Sequence, residues 1–389
     1  MTKRLSLIIL GIILFLAAFL RFYRISSNPP SLYWEEAALG YDAYSILKTG
    51  KDWHGNSWPL VAFESFGDYK PSLYFYAAVP SIALFGLNEF AVRFPSAFFG
   101  TLTVLLVYFL IKERRVALVA ALLLAISPWH LQFSRAGFEA NLGLFFTCLG
   151  AWLLFKILEK PKYSALFLSA SGGSFAASMY AYHANRVFIP LFLITLLLIY
   201  RQRKIFLTGL LVALLALPIF LKLNSPEIKQ RFAETSAFAT LDPIIKSNQL
   251  IQADGGGIIA RLIHHRFWQY ADIFFKSYSS HFNFNYLFLS GDTNPRHSIQ
   301  TVGCLYLIQL PFLIYGILIA LKRRQPQDLS LLAWLLLAPV PAGLTLATPH
   351  ALRSLPMLIP LTIFTALGVV RFRRLFIFLV FIKLKFNSF

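Results

Sequence analysis

The sequence predicts an all-α integral membrane protein, and three observations carry that. Hydrophobic residues make up 57% of the chain and charged residues only 14%, far from the balance of soluble domains; mean hydropathy is +0.63. Apolar runs of about 17–25 residues, the length an α-helix needs to cross the hydrocarbon core, recur from end to end. The basic residues fall largely in short clusters between those runs ("TKR", "KERR", "EKPK", "RQRK", "LKRR" and "RFRR"), the pattern of cytoplasmic loops.

The clusters order the crossings. Cytoplasmic Thr2–Arg4 precedes a first span near residues 5–22. Spans two to seven fall near 93–111, 115–132, 140–157, 163–181, 186–200 and 205–222, and spans eight to ten near 301–321, 329–347 and 352–370. With the basic clusters inside, the outer segments are 23–92, 133–139, 182–185, 223–300 and 348–351, and the alternation holds at every loop. The run Pro71–Leu87 is apolar enough to cross, but a crossing there would put "KERR" outside, so it reads as an interfacial or re-entrant helix, with Pro71 and Pro80 in keeping. The expectation is a single bundle of about 10–11 helices over residues 1–389, with 23–92 and 223–300 as two large extracytoplasmic loops, the first carrying juxtamembrane helices. The last apolar run, 375–382, is short and stops at Lys383 and Lys385; it reads as half a span or as part of a longer chain. The N-terminal run has a basic flank but no small-x-small cleavage site, so it reads as a retained anchor.

The net charge of +19 does not point to nucleic acid, because the positive residues form no continuous face and no soluble domain carries them. Cys148 and Cys304 lie in or beside apolar segments, far apart, and read as free buried thiols.

Polar chemistry is concentrated in the outer segments. After Pro29 and Pro30 a helix is predicted from about Tyr33 to Leu47, closed by Lys48 and Gly50. Glu35 and Glu36 then stand in its first turn, where the helix dipole favours carboxylates, and Asp42 lies two turns further along the Glu35 face. Dipole complementation alone would explain the two acids; their place at a membrane boundary, where an unused charge is costly, argues for a task. Arg135 and Glu139 in "FSRAGFEANLG", Tyr182, His183 and Arg186 in "YAYHANR", Asp292, Arg296 and His297 in "GDTNPRHS", and His350 and Arg353 in "TPHALR" all fall at the same side, with Lys70 heading the interfacial helix. Each arginine taken singly also fits a headgroup anchor. Together these acids and bases could line one cavity. His264 and His265 are adjacent, so one helix face cannot present both, and they read as polar residues of an amphipathic surface helix over 258–275. "ADGGG" at 253–257 lacks a strand-turn-helix context and reads as a linker.

The block "YWEEAALGYDAY" resembles the Asp-Glu motif in the first external loop of GT-C glycosyltransferases, in particular the family 39/83 group of protein O-mannosyltransferases and lipid A aminoarabinose transferases. "DYKPSLYFYAAVPSIALFGLNEFAVRFPSA" is similar to that group's Lys-Pro helix and Arg-Phe-Pro span entry, and "FSRAGFEA" looks like its second acidic motif. The resemblance covers residues 5–190 and, more weakly, 286–370. It implies an enzyme of the plasma (inner) membrane, acting on its extracytoplasmic side in envelope assembly. A sugar on a polyprenyl phosphate would pass, with inversion, to an acceptor hydroxyl on a protein, lipid or glycan. It further implies that Glu35 stands at the catalytic Asp position, that Glu36 is the following Glu, that Glu139 is the second acid, and that Lys70 holds the lipid phosphate. Glu35 is one methylene longer than the Asp it replaces, which leaves open whether Glu35 or Glu36 is the base.

With that frame Arg186 and Arg353 join Lys70 as candidate phosphate ligands, since fixed cations favour a leaving group that gains charge. Asp42, Arg135, Tyr182, His297 and His350 are candidate substrate contacts. No cofactor is called for; a Mg or Mn site using Glu35 and Glu139 is the open alternative. A transporter or flippase for a lipid-linked glycan is the competing class, but nearly acid-free spans favour an enzyme. A non-catalytic envelope-assembly partner would be favoured if Glu35 and Glu139 lay far apart.

Overall fold

The computed structural model describes residues 2–159, 164–222, 225 and 235–386. Lys160 and Lys162 of the "EKPK" cluster, and residues 226–234 of the second long loop, lie outside the described residues.

The chain opens with α1 (Lys3–Phe22), begun by Thr2, whose hydroxyl accepts from Leu5 N. The first long loop holds α2 (Trp34–Thr49), a hairpin of β1 (Ala62–Ser65) and β2 (Asp68–Pro71), and α3 (Leu73–Phe85). Next come α4 (Glu89–Leu110), α5 (Arg114–Ala125), α6 (Pro128–Arg135), α7 (Glu139–Glu159), α8 (Ser164–Ala181), α9 (Asn185–Tyr200), α10 (Arg203–Leu215) and α11 (Leu217–Leu221). The second long loop carries α12 (Asp242–Ala253), α13 (Ile258–Ile263) and α14 (Arg266–Ser280). The chain then runs through α15 (Leu310–Arg323), α16 (Pro326–Leu337), α17 (Val340–Gly343) and α18 (Leu358–Phe386), which contains the last apolar run.

Among the described residues, α1, α4, α7 and the stretch Leu355–Phe372 are each long and apolar enough to cross a membrane. A fifth candidate is α5 with α6, bent by 56°. The bend falls where Ser127 caps α6 and Pro128 starts it, since proline cannot donate to the preceding turn. The other expected crossings correspond to α8, α9 and α15 and to the broken pairs α10–α11 and α16–α17. The eighth begins at Leu310 rather than near 301, with Pro311 in its first turn. The predicted surface helix over 258–275 is split in two at His264 and His265.

Helix contacts use small residues and buried hydroxyls, as expected where no water drives association. Between α7 and α8, Thr147 Oγ1 and Ser178 Oγ lie 2.7 Å apart, and the Ser171 hydroxyl donates to Gly150 O at 2.8 Å. Between α15 and α18 the backbones touch: a Cβ added at Gly316 would lie 1.9 Å from Phe364 O, and one at Gly368 1.9 Å from Phe312 O.

Arginines tie the segments together. Arg21 donates to Ala125 O at 3.2 Å and Leu124 O at 3.4 Å, carbonyls of the last turn of α5. Arg135 donates to Leu20 O in the last turn of α1 and to Tyr23 O and Asn28 O beyond it. One end of the bundle carries the ion pairs Lys112–Glu159, Arg323–Asp328 and Arg371–Glu113, which belong to the basic clusters. The first long loop folds over the opposite end.

Candidate active site

The hairpin positions Lys70, and local geometry explains how. Phe66 and Gly67 both have positive φ (53° and 74°), the arrangement of a two-residue turn whose twist matches the strands. Ser65 then pairs with Asp68 and Phe63 with Lys70. Side chains alternate along a strand, so Asp68 and Lys70 share a face. Phe63 stacks on Phe75 of α3, centroids 4.1 Å apart, which fixes the hairpin to the helix it introduces. The sequence expectation contained no strands here; two four-residue strands without apolar alternation leave no period-2 signal.

Glu35 and Glu36 are adjacent in α2 but meet different surroundings. Glu35 is 27% exposed; Lys70 Nζ donates to its Oε1 at 2.5 Å and Arg296 Nη1 stands 3.6 Å from its Oε2. Glu36 is fully buried. Arg93 of α4 donates to both of its oxygens, at 2.9 and 3.0 Å, Gly137 N donates to Oε1 at 2.7 Å, and Tyr33 N to Oε2 at 3.3 Å. Arg93 also donates to Ile25 O, Pro29 O and Ser31 O, so one guanidinium binds both the loop backbone and the acid.

Lys70 sits among carboxylates. Burial works against its charge, but the fields of Glu139, Glu35 and Asp68 more than offset this and raise its pKa above the ordinary lysine value. Asp68 Oδ2 is 3.3 Å from Nζ. Glu139, in the first turn of α7, is buried. Between these acids stands Tyr33, whose hydroxyl donates to Gly137 O at 3.2 Å; burial, then Glu139, Glu35 and Glu36, push its phenol well up.

His297 and His350 form a second cluster. Their rings lie 4.6 Å apart, and His297 Nδ1 is 3.1 Å from Asp292 Oδ2. Arg296, the residue before His297, reaches Glu35 and lies over the Trp34 ring at 5.3 Å. The cluster is thus joined to the Glu35–Lys70 pair through the chain.

The other expected site residues have contacts of their own. Asp42 is buried two turns along α2 and accepts from Trp53 N at 2.9 Å. Arg135 serves carbonyls at the end of α1. Arg186 donates to Met179 O and Val61 O, and Arg353 to Thr345 Oγ1 and Leu346 O. Tyr182 is buried at the end of α8, and its neighbour His183 places Nε2 2.9 Å from Tyr69 O of the hairpin. Sequence reasoning passed over Arg93 and Asp68. Both left a signal: a lone Arg in the first turns of an apolar helix, and an acid two residues before Lys70 in "GDYKP".

Residues 69–222 match the family model described as "Dolichyl-phosphate-mannose-protein mannosyltransferase". The chain is 26% identical over 242 residues to the Bacillus subtilis (strain 168) protein described as "Putative mannosyltransferase YkcB", a match over 59% of this chain and 32% of that protein. Among solved structures it is similar to the archaeal oligosaccharyltransferase AglB from Archaeoglobus fulgidus, in complex with an inhibitory peptide and a dolichol-phosphate: TM-score 0.59, 14% identity, covering 97% of this chain and 52% of that one. It is likewise similar to ArnT from Cupriavidus metallidurans bound to undecaprenyl phosphate: TM-score 0.57, 13% identity, covering 95% of this chain and 61% of that one. The chain therefore spans about a third of the curated relative and roughly half to three fifths of the solved chains. By its apolar helices the chain is a multi-pass membrane protein, and it shares the fold of the solved AglB and ArnT chains.

Proposed function

We propose that the protein transfers a sugar from a polyprenyl-phosphate donor to an acceptor hydroxyl, with inversion, at the extracytoplasmic face of the plasma membrane. The carrying observation is the Glu35–Lys70 pair: a partly exposed carboxylate held by a lysine that three carboxylates keep charged.

The pairing suggests how the site is loaded. A lipid phosphate arriving at Lys70 supplies a stronger counter-charge than Glu35. Lys70 Nζ turns to it, and Glu35 is released toward the acceptor. The Glu35 carboxylate accepts the hydroxyl proton, and the acceptor oxygen forms its bond to the anomeric carbon from the face opposite the phosphate. The carbon–oxygen bond to the phosphate breaks, and its electron pair leaves on polyprenyl phosphate, whose added charge Lys70 stabilises. Glu36 is unsuited to the base role because Arg93, Gly137 N and Tyr33 N already occupy its oxygens. Its part is to hold α2 against α4 and the start of α7. Glu35 faces two cations in Lys70 and Arg296, an environment made for a carboxylate without a divalent ion.

A cavity of about 330 Å³ between α9 and α10, lined by Met179, Leu193, Leu197, Phe206, Leu210 and Phe220, suits the prenyl chain. Arg186 donates to Met179 O at its rim and to Val61 O beside the hairpin, which connects the apolar cavity to the strand pair bearing Lys70.

The test is sugar transfer from a synthetic polyprenyl-phosphate donor by purified variants. Glu35→Gln should lower turnover by about 10²–10⁴-fold, the usual worth of a positioned base, with donor binding retained. Glu35→Asp should recover part of the rate. Near-normal turnover in Glu35→Gln removes it from the base role.

A further inference from the structure

The cluster of Asp292, His297 and His350 has the make-up of a metal centre. One donor atom from each of the three lies within 4.8 Å of the other two. Asp292 and His297 are buried, at 4% and 8% exposure.

The surroundings fix the donors in the way that supporting groups do around metal ligands. Asp292 Oδ2 accepts from Ala351 N at 2.7 Å and Oδ1 from Asn294 N at 2.9 Å, which sets the plane of the carboxylate. His281 Nε2 accepts from His350 N at 3.1 Å. That requires the proton on Nδ1, which lies 2.9 Å from Ser277 O, so His281 serves as a fixed support. Phe133 and Phe138 pack against the His297 ring, with centroids 6.0 and 6.3 Å away.

We infer that Asp292, His297 and His350 bind one divalent transition-metal ion of the zinc class, which clamps the 292–297 loop to the turn before α18 and so holds Arg296 against Glu35. Two imidazoles and one carboxylate favour Zn²⁺ over Mg²⁺ or Ca²⁺, which prefer all-oxygen sets. Three protein ligands leave at least one position open. The site joins two segments far apart in the chain, and Arg296 directly precedes a ligand. The ion's role is positional. Its binding does not depend on the transferase reading.

The experiment uses the purified full chain, stripped with chelator and titrated with Zn²⁺, and with Co²⁺ as a spectroscopic substitute. The expected result is one Zn²⁺ per chain and a Co²⁺ visible absorption of low-symmetry type. His297→Ala and His350→Ala should each weaken Zn²⁺ binding at least about tenfold. His264→Ala and His265→Ala, on the distant α13–α14 junction, should leave it unchanged. His297→Gln, which keeps much of the packing, guards against a folding defect and should lose the Co²⁺ band while melting as wild type does. Zn²⁺ should also slow tryptic cleavage after Arg296, whose side chain is 42% exposed. No stoichiometric Zn²⁺, or equal binding in the His350→Ala and His264→Ala proteins, overturns the site. Tight binding with unaltered cleavage at Arg296 overturns its positional role. Each readout stands apart from sugar transfer.

Discussion

Replacing Glu36 by Gln changes one atom and should be the costlier of the two glutamate substitutions for stability. Each Glu36 oxygen accepts from two donors: Oε1 from Arg93 Nε and Gly137 N, Oε2 from Arg93 Nη2 and Tyr33 N. An amide NH₂ in either position faces two N–H groups, and a full guanidinium charge is left without its counter-ion at a site with no exposure. Arg93 keeps three carbonyl acceptors, which softens the loss. Removing one partner of a buried ion pair costs about 3–5 kcal/mol, a large part of the roughly 5–15 kcal/mol of a folded domain. Glu35→Gln, at a partly exposed pair, should cost on the order of 0–1 kcal/mol. Thermal melts of the purified variants in one detergent should therefore show a large drop for Glu36→Gln and a small one for Glu35→Gln. The double variant Glu36→Gln, Arg93→Gln should melt above the sum of the two single losses, since it removes both halves of the pair. Equal melts for the two glutamate variants would refute the reasoning, as would a double variant that is strictly additive.

Other outcomes follow from the same contacts. Lys70→Ala should weaken donor binding and Lys70→Arg retain part of it, read by titration with a polyprenyl phosphate, because Arg keeps charge but changes geometry. Asp42 is a pH-dependent liability: burial raises its pKa to about 6 despite the hydrogen bond from Trp53, and its Oδ2 has no hydrogen-bond partner. Between the unfolded value near about 3.9 and that raised value the folded state holds the extra proton, so stability falls as pH rises through this window. Asp42→Asn should gain in melting temperature relative to wild type from pH 4 to pH 6 and hold the gain above; a flat difference would contradict the assignment. Asn88→Cys, at the exposed turn before α4, should label with an impermeant thiol reagent from outside the cell, against a low background because Cys148 and Cys304 are buried. Labelling from the cytoplasm alone would make α3 a crossing.

The helical membrane architecture was legible because apolar length and charge alternation are set by the bilayer, whatever the tertiary packing. α2 was legible for a local reason: acids in its first turn and a Gly50 able to take φ 71° at its end. The division of labour between Glu35 and Glu36 was not legible. It depends on which neighbour faces Arg93, more than fifty positions away, and on the backbone of Gly137. The arginines show the limit most clearly. Arg135 donates to Leu20 O in the last turn of α1 and to Tyr23 O just after it, and the need for such a partner is invisible until the helix end is placed. Asp292, His297 and His350 were legible as polar groups of the outer side but not as one cluster, because they come from two segments joined only by the fold, with no metal-ligand spacing within either.

The Arg93–Glu36–Gly137 junction also sets a timetable for making the protein. Glu36 leaves the ribosome early, but its arginine is 57 positions behind it and its backbone donor 101. At about 5–20 residues per second, that donor follows roughly 5–20 seconds later. Until α4 brings Arg93, α2 carries an unmatched acid that no apolar surroundings will accept, and until Gly137 follows its Oε1 lacks the backbone donor, so the loop stays at the watery boundary while α4 to α6 are inserted. Gly137 then completes the pairing, and α7 directly behind it delivers Glu139 to its place. A nascent chain stalled before Gly137 should therefore leave its first loop open to protease, and one stalled well after it should not.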